Sequence, residues 1–206
     1  MATNQFAYNN FVRNISSVDD LLGIYSQVVS QIPLLKEQAS EILRASIVLS
    51  VSALDNYMHD FYRNEIVEGY LGLGNFNIKF DSLMISIQGM RQLDAAPSID
   101  AKRNFLIQQM RMMQKTDSYQ SPKSIEYIFS NLNVRNVWTR LNKIGVVGLS
   151  ADDIKSELAN IIDRRNKISH ESDWDFINDK KYPIDIDMAQ STVDFVKALV
   201  GGINSI

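Results

Sequence analysis

Apolar positions recur at spacings of three and four along most of the chain, the signature of helices that bury one face. Val18, Leu21, Leu22, Tyr25, Val28 and Val29 follow this period. Ser16 or Ser17, with Asp19 and Asp20 behind, reads as the start of that helix, because short polar side chains accept from the orphan N–H groups of a first turn. Pro33 separates it from a second, long helix predicted over about 35–71, whose stripe is Ile42, Leu43, Ile47, Val51, Leu54, Met58 and Phe61. Around 45–54 that helix is apolar on nearly every side, which marks a central element with neighbours all round. Ser46, Ser50, Ser52 and Ala53 are small enough to let those neighbours come close.

Gly72 and Gly74 end the long helix, and GNFNIKF reads as a loop or a strand-like turn. Asp81 is placed to cap a helix from Ser82 to about Leu93, and Ser98 to cap the next, over 99–113. Residues 114–121 (QKTDSYQS) read as a polar linker. Ser121-Pro122 is a helix start with proline at the first helical position, leading to about Leu132, and another helix covers 134–144. Gly145 and Gly148 turn the chain. Ser150 with Asp153 resembles a capping box for a helix over about 151–169, and Asp185 or Asp187 opens the last, to about Val200. No internal repeat or heptad run stands out. The expectation is an all-α fold, a helical bundle in one domain over residues 1–206, with about 75–148 as a helical insert.

Composition narrows the chemistry. Of 206 residues 45% are apolar, with 9 Gly and 4 Pro, so a core can form and global disorder is excluded. The absence of cysteine removes disulfides, thiolate nucleophiles, iron–sulfur clusters and Cys-rich zinc sites. Two histidines, His59 and His170, would need carboxylates to complete a zinc site; the carboxylates of 173–175 and 179–187 show no third-ligand pattern, so no metal and no cofactor are expected. The net charge of −3 gives no global attraction to nucleic acid, and any polyanion site must be local. The longest apolar stretch, 45–54, is about half the ~20 residues of a membrane span. The first residues lack the charged-then-apolar layout of a signal peptide. The expected location is the cytoplasm, with no membrane contact.

Candidate chemistry gathers in Asp163-Arg164-Arg165-Asn166-Lys167-Ile168-Ser169-His170-Glu171. Cations at a helix C-terminus complement its dipole, which is explanation enough for some of them. Geometry singles out Arg165: at about 100° per residue it falls among Ile154, Leu158, Ile161 and Ile168, with Arg164 at the edge. A guanidinium on an apolar stripe must pair, snorkel or lie in an interface. On a straight helix Arg165 and His170 diverge, and they meet only if the last turn unwinds or a second subunit brings its own copy. In the central helix Asp55 and His59 are four apart and neighbours. His59 reads as the partner of a structural pair, whereas Asp55 interrupts VSALDNY and calls for a buried partner, with Arg165 the natural candidate.

Arg165-Asn166-Lys167-Ile168-Ser169-His170 resembles the R-x(4–6)-H signature of HEPN domains, in the variant with Asn after Arg. RASIVLSVSALDNYMHDFYR, residues 44–63, is similar to the second helix of the RiboL-PSP-type branch, with its ALD-x-Y-x-HD run. The two stretches together hold 26 of the 206 residues. The resemblance implies an α-helical bundle dimerising across the motif helix. Many members are metal-independent endoribonucleases of toxin–antitoxin or phage-defence systems; others are silent scaffolds that bind a partner protein or a nucleotide. It implies Arg165 and His170 as the catalytic pair, Asn166 as the associated polar residue and Asp55 as the acidic residue of the earlier helix. Arg164 also satisfies the looser spacing; Asn166 favours Arg165. Arg164 and Lys167 are then candidates for RNA backbone contacts.

Such chemistry suits these residue types. RNA cleavage needs a base for the 2′-OH, an acid for the leaving 5′-oxygen and positive charge for the phosphorane. Histidine moves protons near neutrality, and arginine offers a fork to phosphate oxygens. One histidine serves one role at a time, so a two-fold homodimer would supply both. A different class of reading is a helical antitoxin-like or regulatory protein in which Arg165 only pairs with Asp55. The basic residues Lys102, Arg103, Arg111, Lys115, Arg135, Arg140 and Lys143 read as solvated faces before they read as an RNA rim, and Trp138 and Trp174 as packing residues.

Overall fold

The computed structural model describes residues 2–74 and 84–206. Eight α-helices lie among them: α1 (Ala2–Gln31), α2 (Lys36–Tyr70), α3 (Ile87–Asp94), α4 (Ile99–Met113), α5 (Pro122–Asn131), α6 (Val137–Ile144), α7 (Ala151–Glu171) and α8 (Ile186–Ile203). One two-stranded antiparallel hairpin, β1 (Trp174–Asp175) with β2 (Lys180–Lys181), sits between α7 and α8. The all-α expectation holds; the hairpin was not foreseen, and its register pairs Trp174 with Lys181 and Asp175 with Lys180.

Two long helices form the frame. α1 and α2, joined by a 3₁₀ turn (Pro33–Leu35), run antiparallel, since Phe11 near the start of α1 packs edge-on against Tyr57, and Asn10 donates to Asp60, both toward the end of α2. α1 starts well before Ser16. Ala7, Phe11, Ile15, Val18, Leu22 and Tyr25 are all buried, at spacings of four, four, three, four and three, a near-heptad stripe facing α2. The Ser16–Ser17 start signal is overridden: Ser17 turns its hydroxyl back to the Arg13 carbonyl inside an unbroken helix.

α2 is central, touching α1, α4, α7 and α8. It is not covered on every side: Ala45, Leu49, Ser52 and Asn56 form a solvent stripe at spacings of four, three and four. Ser46 and Ser50 are fully buried and bond back to the carbonyls of Ile42 and Ile47, so they cost little polar desolvation while leaving room for neighbours. The second half of the chain joins the same core through Leu106, Ile125, Ile128, Phe129 and Leu141. Where α8 meets α6, a Cβ on Gly202 would sit 2.9 Å from Leu141, so glycine permits that approach.

Several boundaries shift with identifiable causes. Asp81, Ser82 and most of GNFNIKF lie outside the described residues, and α3 is capped by Ser86, whose hydroxyl accepts from Gly89 N–H. Ser98, Ser121, Ser150 and Asp185 cap their helices as their positions predict. α6 begins at Val137, because Asn133 and Asn136 both adopt left-handed backbone, which asparagine tolerates. The 114–121 connection is more than a polar linker, since Gln114 and Tyr119 are buried in it.

Candidate active site

α7 owes its length to two well-formed ends. Ser150 caps the start, and Ile154, Leu158 and Ile161 bury one face. The helix continues through Glu171, two residues beyond the expected end, and stops where Ser172 and Asp173 take left-handed backbone. Asp173 N–H then bonds back to the Lys167 carbonyl at 3.0 Å. The last turn therefore does not unwind. Arg165 and His170, five residues apart, project about 140° from each other along one continuous helix.

The three cations of the motif have different partners. Arg164 Nη2 donates to Asp173 Oδ2 at 2.8 Å and to the Pro183 carbonyl at 3.0 Å, with its guanidinium 5.5 Å from the Tyr182 ring centre. Burial lowers the Arg164 pKa from the ordinary guanidinium value, and the Asp173 carboxylate opposes that shift. Lys167 pairs with Asp163 at 2.8 Å, which raises its pKa. Arg165 has no acidic partner among the described residues. Its Nη1 donates to the neighbouring Asn166 Oδ1 at 3.1 Å, and its Nε is buried with no acceptor. His170 is exposed and makes no hydrogen bond or ion pair among the described residues.

Asp173 is the acid sequence reasoning missed. It is fully buried, and its Oδ2 accepts from Arg44 Nε at 2.7 Å as well as from Arg164. Arg44, near the start of α2, also donates to Ser40 Oγ at 2.7 Å and to the Tyr182 carbonyl at 2.8 Å. This knot ties the end of α7 to the beginning of α2. At the other end, α5 bridges the two helices: its Tyr127 ring packs against Tyr62 of α2, and its Glu126 binds Lys155 of α7. α2 and α7 are therefore antiparallel. The available signal for Asp173 was a carboxylate two residues past a helix end; only the fold brings Arg44 to it across 129 positions.

Asp55 does not pair with Arg165. Its Oδ1 accepts from Tyr119 N–H at 2.6 Å and from Ser118 Oγ at 3.3 Å, and its Oδ2 lies 3.8 Å from His59 Nε2. The carboxylate fastens the 114–121 connection to α2, with a quarter of its side chain still in solvent. The His59 ring packs against Tyr119 at 4.5 Å between ring centres, the two planes tilted by 52°. Asp55 and His59 also line an open groove between α1 and α2 with Asn14, Ser17, Leu49 and Asn56. Burial, with the nearby Asp117 hydrogen bond at Tyr119, pushes the Tyr62 and Tyr119 hydroxyls far above the ordinary tyrosine value, so neither is suited to proton transfer near neutrality.

The remaining basic residues are partly spoken for. Arg103 is held by Glu68 at 2.6 Å and by Asp100, and Trp138 is buried with its indole N–H on Glu126 at 2.7 Å. Among the described residues no group of three or more His, Asp or Glu side chains is placed to hold a metal ion, and no helix is long and apolar enough to cross a membrane. The family model described as RiboL-PSP-HEPN matches residues 12–206. No curated protein and no solved structure matches the chain.

Proposed function

The chain belongs to the RiboL-PSP-HEPN family, and on that premise we propose that it is a metal-independent endoribonuclease acting as a homodimer through Arg165 and His170. The observation that carries this reading is the division of labour between two adjacent arginines. Arg164 is consumed by Asp173, whereas Arg165 is part-buried and, among the described residues, has no counter-charge and only Asn166 to steady it. A cation desolvated without an internal acid is costly unless an anion from outside completes it. A phosphodiester is such an anion, and the guanidinium fork matches two of its oxygens.

His170 is exposed and has no hydrogen-bond partner among the described residues, so its ring is open to a substrate. One copy takes the 2′-OH proton as that oxygen attacks phosphorus. The other copy gives a proton to the departing 5′-oxygen, and the two Arg165 guanidinium groups stabilise the charge on the phosphorane between them. The products are a 2′,3′-cyclic phosphate, open to hydrolysis to a 3′-phosphate, and a 5′-hydroxyl end. The 140° divergence of the two side chains favours a two-fold arrangement, since one copy does not aim both at a single phosphate. In this scheme Asn166 and Asp55 are positioning residues, the first on Arg165 and the second on His59 and the 114–121 connection. Lys167, at the helix surface, meets the RNA backbone, while Arg164 is structural. The setting is a toxin–antitoxin or phage-defence system in the cytoplasm, with an antitoxin or defence-system partner.

The test is cleavage of total RNA in EDTA by the wild type and by His170→Ala purified identically. Cleavage by the wild type alone, with cyclic-phosphate ends, is the expected result. Equal cleavage by both refutes the site, and cleavage by neither, on any RNA class offered, favours the silent scaffold that binds a protein or a nucleotide.

A further inference from the structure

The hairpin that follows α7 ends in two apolar side chains left in solvent. Phe176 is 77% and Ile177 94% exposed, at a position where turns ordinarily carry Gly, Asn, Asp or Ser. The tip is braced from within. The Asp175 carboxylate accepts from Ile177 N–H at 3.0 Å, from Asn178 N–H at 3.2 Å and from Asn178 Nδ2 at 2.7 Å. Below it, Tyr182 N–H bonds the carbonyl of Asp173 at 2.8 Å, and Asp173 is itself held by Arg44 and Arg164. The ring is thus presented on a support fixed to the end of α7.

That support runs along the face of α7 that carries His170. The return strand leads into Tyr182, whose ring centre lies 5.6 Å from Lys167 Nζ and 5.5 Å from the Arg164 guanidinium. Lys167 and His170 are three residues apart on one helix and share a face. Phe176 is six residues beyond His170, at most ~20 Å of extended chain. The bond from Asp173 N–H to the Lys167 carbonyl folds part of that length back along the helix. The tip therefore stands within a few nucleotides of a phosphate held at His170.

We infer that Phe176 is a stacking platform for an unpaired base of single-stranded RNA, flanking the phosphate to be cut, with Ile177 packing at the edge of that base. The inference deepens the ribonuclease reading and rests on it. Size selects the occupant: the two side chains offer roughly 300 Å², well short of the ~800 Å² that each partner gives to a specific protein interface, and enough for one flat base. Chemistry agrees, since every base has a π-face that stacks on an aromatic ring, and a ring on a braced turn loses little freedom on binding. Charge assigns the manner of contact. On the hairpin Lys180 and Lys181 are offset by Asp175 and Asp179, so the tip grips a base while phosphate is left to Arg165. A base inside a duplex is already stacked on its neighbours, so the platform takes unpaired strands.

The experiment is fluorescence anisotropy of a labelled single-stranded RNA of about eight nucleotides in EDTA, with the full chain carrying His170→Ala so that the RNA stays whole. Adding Phe176→Ser should weaken binding about tenfold. Phe176→Leu should lose nearly as much, because leucine keeps the apolar surface and lacks the ring, while Phe176→Tyr should bind as the parent does. The loss should be the same at ~50 and ~200 mM NaCl, and circular dichroism and melting should not change, because the substituted side chain is exposed. A blunt duplex of the same sequence should bind the parent and Phe176→Ser alike. Equal affinity of the parent and Phe176→Ser for the single strand overturns the inference, and leaves the ribonuclease reading standing where the wild type cuts RNA through His170. Leucine serving as well as phenylalanine assigns the tip to apolar packing, and a serine variant that sediments as a smaller species assigns it to a protein contact; either result overturns the inference. A parent that binds no RNA overturns it too. Ring-dependent binding beside a wild type that cuts nothing upholds the platform while the ribonuclease reading fails.

Discussion

Replacing Asp173 by asparagine removes one negative charge from the junction of α2, α7 and the hairpin while leaving its shape in place. The side chain is fully buried, and Oδ2 takes bonds from two arginines at 2.7 and 2.8 Å. Its backbone φ is +59°, a conformation asparagine adopts readily, so backbone strain does not confound the result. Removing one partner of a buried ion pair costs about 3–5 kcal/mol, because the other charge is left uncompensated. Here the arginines keep other partners: Arg44 retains Ser40, Glu41 and the Tyr182 carbonyl, and Arg164 retains the Pro183 carbonyl. The amide oxygen of the substituted side chain also remains an acceptor. The cost of Asp173→Asn should therefore sit at the low end, about 3 kcal/mol, which for a chain of this size lowers Tm by roughly 6–12 °C. Urea unfolding gives the free energy, and a cycle with Arg44→Met isolates the pair. The double variant should be less destabilised than the sum of the singles by at least about 1 kcal/mol. Raising NaCl to ~1 M should leave the difference largely intact, since the pair is out of reach of mobile ions. A loss below about 1 kcal/mol, or an additive cycle, would show that the knot does not hold the fold together.

Arg164→Ala should destabilise by about 2–3 kcal/mol through the same knot, whereas Arg165→Ala should stay within about 1 kcal/mol of wild type yet lower kcat by ~100-fold or more; the reverse pattern in melting and cleavage assays would assign the motif arginine to position 164. Mixing wild type with an excess of His170→Ala protomers should, once subunit exchange is verified, suppress cleavage more steeply than the fall in wild-type fraction, because a mixed dimer holds one histidine for two proton transfers. A fall that is linear in the wild-type fraction would place each site within a single chain. Glu126, held below the ordinary carboxylate range by Lys155 and the Trp138 indole, contributes stability that is full above about pH 4.3 and is lost as pH falls through its lower folded value. Glu126→Gln should flatten that acid limb, and an unchanged limb in pH-dependent urea titrations counts against the assignment. Gly202→Ala should cost about 1–3 kcal/mol by forcing Val146 and Leu141 aside, read from the shift in urea midpoint.

Local chemistry was legible wherever the signal is local. Serine and aspartate caps, Ser121-Pro122, the stripes of α2 and α7 and the motif spacing are properties of neighbouring residues, and the helices they imply are present with ends moved by a few positions. The start of α1 was misread because Ser16-Ser17 carries a cap signal, while the burial of Ala7 and Phe11 against α2, which decides the matter, is a tertiary fact. The same division runs through the site. Sequence alone set Arg165, Asn166 and His170 on one helix and fixed their angular spread, because helical geometry needs nothing beyond the chain order. It could not say which arginine was spent in the fold. That depended on Asp173 turning left-handed at the end of α7 and on Arg44 arriving from 129 residues away. It also sent Asp55 to the wrong partner, since the backbone N–H of Tyr119 carries no mark in a sequence. Charge type and period are written residue by residue; which charges neutralise each other, and which is left over for a ligand, is settled only when packing brings distant segments within hydrogen-bond reach.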